Sequence, residues 1–542
     1  MGERVSEAKR DSLLIFAVGM VLFLAGLSPE FLGFQARFGL FARQMHEHGP
    51  GLVPETWRGP YPDYPSAPFL LIYAAGRLAG KMTPWVATAP TAAASAAVLV
   101  LIYRLGAFGG RRWGVGGVLM AVGTYTFLAA ARSVSLDAYT TLATTLVFYL
   151  AYSADREGRF GRCYWIPVVL AGGFACRGPI GLVVPAAVLG AYYLAGRQYR
   201  RCLATGTTAA VLFVACGAAL LLAARQAGGA ELVNQVLHRQ AAGRLGAGRQ
   251  GFAFYWLSSL GSYAASYPLA IAAVVLQRGL VRRPQTEAER LWRHLAIWAA
   301  VVLLGMSLAG DKKSRYVLPM APAAALVAAY PLTMREAGPG GGRAGETARR
   351  WGFGAPAVLS AAALAAWAGQ RLFTWFPAAR YLGAALALAA LAAVGWVLQR
   401  RLGGAAARTL GSLAAAAGTF VAVEIMVVEP LYYQRETTRP TAARLEGLWR
   451  ERPGPVVGYR LGEDGEILKL LVNLTIPVTP EFTNSAADLL TRQERVYYIA
   501  GREDFERLPA ATVEGVEVLF EGRLGHRPAV VFTQKERGEQ RE

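Results

Sequence analysis

Metal-type spacing is missing from this chain. Its five histidines include no HExxH and no paired His pattern, so a protein-held catalytic metal lacks its usual ligand signature. Four cysteines, Cys163, Cys176, Cys202 and Cys216, form no CxxC, which points away from a zinc cluster or a disulfide framework and towards small buried side chains. Charge is scarce as well: 17% of residues are Asp, Glu, Lys or Arg, against about a quarter in soluble domains. With 54% hydrophobic residues and a mean hydropathy of +0.31, an ordinary soluble enzyme is excluded.

What is present is apolar length. Runs able to cross a hydrocarbon core of about 30 Å recur from Leu13 to Val428, and about thirteen are expected to span. The fifth, Trp165 to Ala175, is short and runs into Arg177-Gly178-Pro179, so it and the sixth, Ile180 to Leu194, read as two spans, one broken hairpin or a re-entrant pair. The eleventh is expected over Phe353 to Ala368. Between spans, basic residues gather in alternate loops, among them Arg111 and Arg112, Arg156, Arg159 and Arg162, and Arg197, Arg200 and Arg201. That is the positive-inside pattern. It accounts for the net charge of +20 without nucleic acid, which is excluded as a partner.

An odd span count with the amino terminus inside leaves three large external segments: a first loop over 28–83, a second over 225–254, and the region after Glu429. The chain is therefore divided into a membrane part, 1–429, and an external α/β domain, 430–542. In the latter "GPVVGYRL" and "RVYYIAG" read as strands, "DGEILKLLVNL" and "NSAADLLTRQE" as helices, and "VEVLFEGRL" with "RPAVVFTQ" as a hairpin. It has no Gly-rich nucleotide loop, which argues against a sugar-nucleotide donor there. "EAGPGGGRAGETARR", from Glu336 to Arg350, reads as a flexible cytoplasmic linker.

Basic residues on the outer face need a reason. Lys312, Lys313 and Arg315 lie in the short connection "GDKKSRY"; Arg37, Arg43, Arg58 and Arg77 lie in the first loop; Arg132 ends the third span; Arg239, Arg244 and Arg249 fall in the second loop. Each by itself reads equally as headgroup contact, but together they suit a lipid-linked phosphate, whose oxygens Arg forks and Lys charges neutralise. Acids accompany them. Asp137, at the mouth of the fourth span, is either a helix N-cap or a catalytic carboxylate. Asp63 and Glu30 are further external acids that serve equally well as turn caps, and Glu424 near the end of the last span reads as a partner for an Arg.

Several stretches carry a resemblance. "QARFGLFARQMHEHG", "YPDYPSAPFLLIYAAGRLAG", "ARSVSLDAYTTL", "CRGPIGLVVP", the "HRQ" beginning at His238, and "KKSRYVLPMAPAAAL" resemble, in order and spacing, the polyprenyl-phosphate-dependent membrane glycosyltransferases of the C superfamily, in particular the lipid A aminoarabinose transferase and protein mannosyltransferase group. The resemblance covers almost the whole length. It implies an inverting enzyme of a bacterial inner membrane, with a cytoplasmic amino terminus and a periplasmic carboxyl-terminal domain. It carries over Arg37, Arg132, Lys312, Arg315, Tyr316, His238 and Arg239 as donor-phosphate ligands. Asp137 matches a family aspartate, and Asp63 and Glu30 are the other candidate catalytic acids.

Four positions depart from the pattern. Phe34 and Gln35 stand where that family has an acidic pair, Tyr64 where it has a Lys, and Arg177 where it has a Lys before Gly-Pro. Gln35 cannot remove a proton at neutral pH, because an amide has no accessible basic state.

The expected activity is transfer of a sugar from a polyprenyl-phosphate donor to a glycolipid, polysaccharide or protein acceptor on the outer face, among membrane lipids. Asp137 is the first choice of base. No cofactor is required, and a divalent ion is left open as an aid. The competing readings are a non-catalytic relative that binds a lipid phosphate or a partner glycosyltransferase, and a transporter, which would need charge near mid-membrane.

Overall fold

The computed structural model describes residues 2–33, 35–239, 250–334, 359, 378–401, 404–462, 465–476, 478–492 and 494–535. Phe34, Arg244, Arg249, the linker Glu336 to Arg350 and the eleventh run, Phe353 to Ala368, fall outside them. The chain divides into two compact units. Unit one comprises Met1–Gly26, Pro62–Pro68 and Thr88–Val428; unit two comprises Leu27–Tyr61, Phe69–Ala87 and Glu429–Glu542.

In chain order the principal helices are α1 (Gly2–Leu24), α2 (Gln35–His48), α3 (Ala67–Ala79), α4 (Pro84–Ala107), α5 (Arg111–Val122), α6 (Tyr125–Ala131), α7 (Leu136–Glu157), α8 (Ile166–Arg177), α9 (Pro179–Ala195), α10 (Tyr199–Leu237), α11 (Phe254–Ser262), α12 (Tyr267–Leu276), α13 (Glu287–Ser307), α14 (Ala321–Thr333), α15 (Ala378–Arg401) and α16 (Ala405–Val423). Among the described residues four helical stretches are long and apolar enough to cross a membrane, or six if each of two bent pairs counts as one span. The bent pairs are α5 with α6, at 77°, and α11 with α12, at 112°. Each is one continuous apolar stretch in the sequence. The first breaks at Gly123-Thr124, where Gly123 adds no side chain to hold the turn and Thr124 takes an extended conformation. The run beginning at Leu203 extends into a 39-residue helix that kinks at Gly228 and Gly229, so part of the expected second loop is helical.

Residues of the fifth and sixth runs form a tight helical hairpin. Gly178 turns it with φ +67°, a conformation that favours glycine, and Pro179 starts α9, where its missing N–H is not needed. The two arms touch through Gly173 and Gly181, at each of which an added Cβ would lie about 2 Å from the other's carbonyl oxygen. In α7 the hydroxyls of Thr141, Thr144 and Thr145 bond to carbonyls four residues back, which satisfies them inside an apolar bundle. At one end of the unit Asp11 accepts from Tyr103 at 2.5 Å and from Arg111 at 2.6 and 3.0 Å.

In unit two the described strands include a short hairpin, β1 (Glu55–Thr56) with β2 (Gly59–Pro60), and a sheet of β3 (Val456–Tyr459), β4 (Glu481–Thr483), β5 (Tyr497–Gly501), β6 (Val516–Leu524) and β7 (Arg527–Gln534). The sheet order is β4-β3-β5-β7-β6, with β3 parallel to both β4 and β5 and the terminal β6–β7 pair antiparallel. A helix over Arg439–Glu451 buries Leu445 against Ile467, Leu470, Ile499 and Val531 on one face. "NSAADLLTRQE" yields only a 3₁₀ turn at Ala487–Leu490. Trp57 of the first loop packs on the same core, and the Asn473 side chain bonds both the N–H and the carbonyl of Phe31, at 2.9 and 3.1 Å. The first loop and the carboxyl-terminal region therefore share one hydrophobic core.

Candidate functional site

Asp137 lies in the first turn of α7, where a carboxylate complements the positive end of the helix. Ser135, not Asp137, holds the N-cap position, so the cap reading does not account for this acid. It is buried, and both its oxygens are engaged. Oδ1 accepts from Arg177 Nε at 2.9 Å, and Oδ2 faces Arg315 Nε at 3.3 Å. The hairpin turn explains the first contact, since Arg177 ends α8 immediately before Gly178-Pro179 and is itself 95% buried. Arg315 is more open, with its side chain 36% exposed.

Tyr316 organises the cations. The guanidinium carbons of Arg177 and Arg315 lie 5.4 and 5.7 Å from its ring centre, and Lys313 Nζ lies at 5.9 Å, distances at which a ring face attracts cations. Its hydroxyl is 3.4 Å from Asp311, which also faces Lys313 at 3.8 Å. Tyr64 is near enough to Arg177 to interact electrostatically. The segment bearing these groups is a 3₁₀ turn, Ser314–Met320, pinned at three points. Tyr263 donates to the Ser314 carbonyl, Trp298 to the Pro319 carbonyl, and Tyr255 accepts from the Lys313 N–H. Lys312 is buried, with Nζ donating to the Gln250 carbonyl at 2.9 Å.

The other expected residues fall elsewhere. Arg132 is buried, and its fork donates to the carbonyls of Leu22 and Ala25 at 2.6 and 2.8 Å, closing the end of α1. Asp63 is half-buried in unit one. His238 and Arg239 are exposed in the turn that ends α10. Two expected residues belong to unit two. Arg37 lies over the Tyr61 ring at 5.6 Å. Glu30 is buried, accepting from Tyr433 and Thr437 at 2.8 Å and from the Thr438 N–H at 3.1 Å, a clamp on the start of the carboxyl-terminal segment.

Sequence reasoning under-ranked Arg177 and Asp311. The first had a signal in "CRGPIG", where a cation precedes a helix-starting Pro. The second stands beside Lys312 in "GDKKSRY".

Beside this cluster in the chain lies an apolar cavity of about 550 Å³. Phe174 and Pro179, which flank Arg177, line it, as do Phe213, Leu220, Met306 and Ala309. Among the described residues one group has the makings of a metal site: Glu436, Glu466 and His526 in unit two. Lys469 Nζ already bonds both carboxylates, at 2.5 and 2.6 Å, and supplies the cation itself.

The fold now has relatives. Residues 63–224 match the family described as dolichyl-phosphate-mannose-protein mannosyltransferase. ArnT from Cupriavidus metallidurans bound to undecaprenyl phosphate superposes with a TM-score of 0.65 over 96% of this chain and 97% of that one, at 17% identity. Over almost its whole length this chain has the fold seen in ArnT. The apo state of the same ArnT gives 0.65 over 97% and 98%, at 15% identity. A search of curated proteins by sequence finds no match. Within this fold, the stretch matched by family sequence contains Asp137, Arg177 and the whole α8–α9 hairpin, while Arg315 and Tyr316 lie beyond it.

Proposed function

We propose that the chain transfers a sugar from a polyprenyl-phosphate donor to an acceptor hydroxyl at the outer face of a bacterial inner membrane. The observation that carries this reading is Asp137 held between Arg177 and Arg315, beside an apolar cavity in the same unit. A polyprenyl tail needs an apolar channel, and its phosphate needs cations where the channel ends. In the proposed arrangement the tail takes the cavity, while Lys312, Arg315 and Tyr316 meet the phosphate. The topology that goes with it has about thirteen spans, a cytoplasmic amino terminus and a periplasmic α/β domain over 430–542. Arg37, His238 and Arg239 stay proposals of the sequence motifs alone.

The acceptor oxygen attacks the anomeric carbon, the bond from that carbon to the phosphate oxygen breaks, and its electron pair leaves on the phosphate with inversion. The acceptor's proton passes to Asp137. Arg315 is the more exposed of the two guanidiniums, so in this reading it is the one that turns towards the donor phosphate. That movement releases Oδ2 as base and places positive charge where negative charge develops. A second reading has a specific observation behind it: with both oxygens engaged, Asp137 serves instead to aim the two arginines.

The test uses purified protein in lipid with radiolabelled polyprenyl-phosphate sugars and a membrane extract. Label should enter product with the wild type and not with Asp137→Asn, while donor binding persists. Wild-type turnover in the variant would exclude Asp137 as base. Transfer by no form of the protein, with any donor tried, would remove the transferase reading.

A further inference from the structure

Asp155 lies near the other end of α7, eighteen residues beyond Asp137, which at the helical rise of about 1.5 Å per residue separates them by roughly 27 Å. That is close to the hydrocarbon thickness of about 30 Å. The polar cluster around Asp155 therefore belongs to the opposite membrane boundary from the Asp137 site.

A second cavity, of about 580 Å³, opens there, lined by Asp155, Phe160, Arg197, Gln198, Tyr199, Arg200 and Arg201. Three arginines and one carboxylate are among the lining residues. Arg201 is committed to that carboxylate, also donates to Gln198 Oε1 at 3.0 Å, and lies over Phe160 at 5.0 Å. Asp155 is fixed in turn by the Tyr192 hydroxyl at 2.8 Å and by Gln198 Nε2 at 3.4 Å. Arg197 and Arg200 are exposed, and among the described residues neither forms an ion pair. Arg197 holds φ at +57°, a left-handed conformation uncommon for a residue with a side chain and worth asking a reason for. Phe160 and Tyr199, which line the cavity, are exposed at 53 and 63%, and Tyr164 and Trp165, on the same 3₁₀ turn as Phe160, at 84 and 62%. Aromatic rings of this kind collect at headgroup depth.

We propose that this cavity binds a phosphate group at the membrane boundary opposite the Asp137 site, with Arg197 and Arg200 as its ligands and Arg201, fixed by Asp155, closing its wall. Unpaired guanidinium forks supply the matching donors. The exposed aromatic rim favours the headgroup of an anionic membrane lipid over a free ion. The site is separate from the sugar-transfer reading and does not depend on it.

The experiment is native mass spectrometry of the full chain carrying phosphatidylglycerol or phosphatidylcholine, beside a titration with inorganic phosphate. The variants are Arg197→Gly, which suits the left-handed backbone while deleting the cation, and Arg200→Gln. Retained phosphatidylglycerol should weaken by about tenfold in the double variant, with phosphatidylcholine poorly held throughout and the melting temperature unchanged. Phosphate binding that is lost in the same variant would support the site with a free anion as its occupant. Equal retention of phosphatidylglycerol and equal binding of inorganic phosphate by wild type and variant overturn the proposal. A phosphatidylglycerol with a photoreactive headgroup tests the wild type directly: crosslinks within 155–201 support the site, and crosslinks only elsewhere overturn it.

Discussion

Arg177 and Arg315 contact the same carboxylate with different burial, and that difference separates their consequences. Arg177→Gln strips a buried carboxylate of its buried partner, a change that costs about 3–5 kcal/mol. Arg315→Gln removes a half-open partner, for which about 1 kcal/mol or less is the rule. Thermal unfolding in one detergent should therefore show a large loss for Arg177→Gln and a small one for Arg315→Gln, while transfer falls steeply in both. A large stability loss with full transfer in Arg315→Gln would detach this residue from the donor phosphate. None of this pairing is legible from spacing: Asp137 and Arg177 are forty residues apart in the chain. The residue types were legible, because an acid and several cations at membrane boundaries are too costly to be incidental.

At the scale of elements, the α8–α9 hairpin is what delivers Arg177. Its arms approach until Gly173 and Gly181 leave no room for a methyl group. Gly173→Ala or Gly181→Ala must push backbone away from backbone, and overpacking of this sort costs about 1–3 kcal/mol. Both variants should lower the melting temperature and weaken transfer, because the turn that aims Arg177 moves with the arms. Gly172→Ala, at a position with open space, is the control expected to leave both unchanged. The sequence leaves this pair open among two spans, one broken hairpin and a re-entrant pair, since apolar runs all round give no face to orient. The bends between α5 and α6 and between α11 and α12 leave no mark in the apolar pattern, because Gly123-Thr124 and Tyr263-Ala264-Ala265-Ser266 interrupt neither length nor hydropathy.

For the whole molecule, unit two offers a pH dependence that is separate from catalysis. Burial raises the Glu436 carboxyl, but the hydrogen bond and charge of Lys469, with His526 beside it, outweigh this and leave it below the usual range. Burial likewise acts to lower Lys469, and its bonds to Glu436 and Glu466 more than offset it, leaving it raised. A depressed acid contributes stability that is full above its unfolded value, about 4.3, and is lost as pH falls through the folded one. A raised Lys contributes stability that is full below about 10.4 and is lost as pH rises through its folded value. Hydrogen exchange in the β6–β7 hairpin should stay slow between those limits and quicken outside them. Glu436→Gln should quicken it at neutral pH and flatten the acid limb.

Membrane residence, the placing of cations at boundaries and the resemblance of ordered motifs all followed from the chain's own composition and spacing, because apolar length and charge position act locally on every residue. The strands of the carboxyl-terminal region were legible for the same reason, through alternation and turn residues. Tertiary structure alone decided which cation meets which acid. It put Glu30 in a structural clamp with Tyr433, Thr437 and Thr438, and set Asp137 between two arginines. It also drew the first loop onto the core of the carboxyl-terminal region. Ion pairs and shared cores join residues hundreds of positions apart, and their partners are chosen by how helices and strands pack, which no local pattern records.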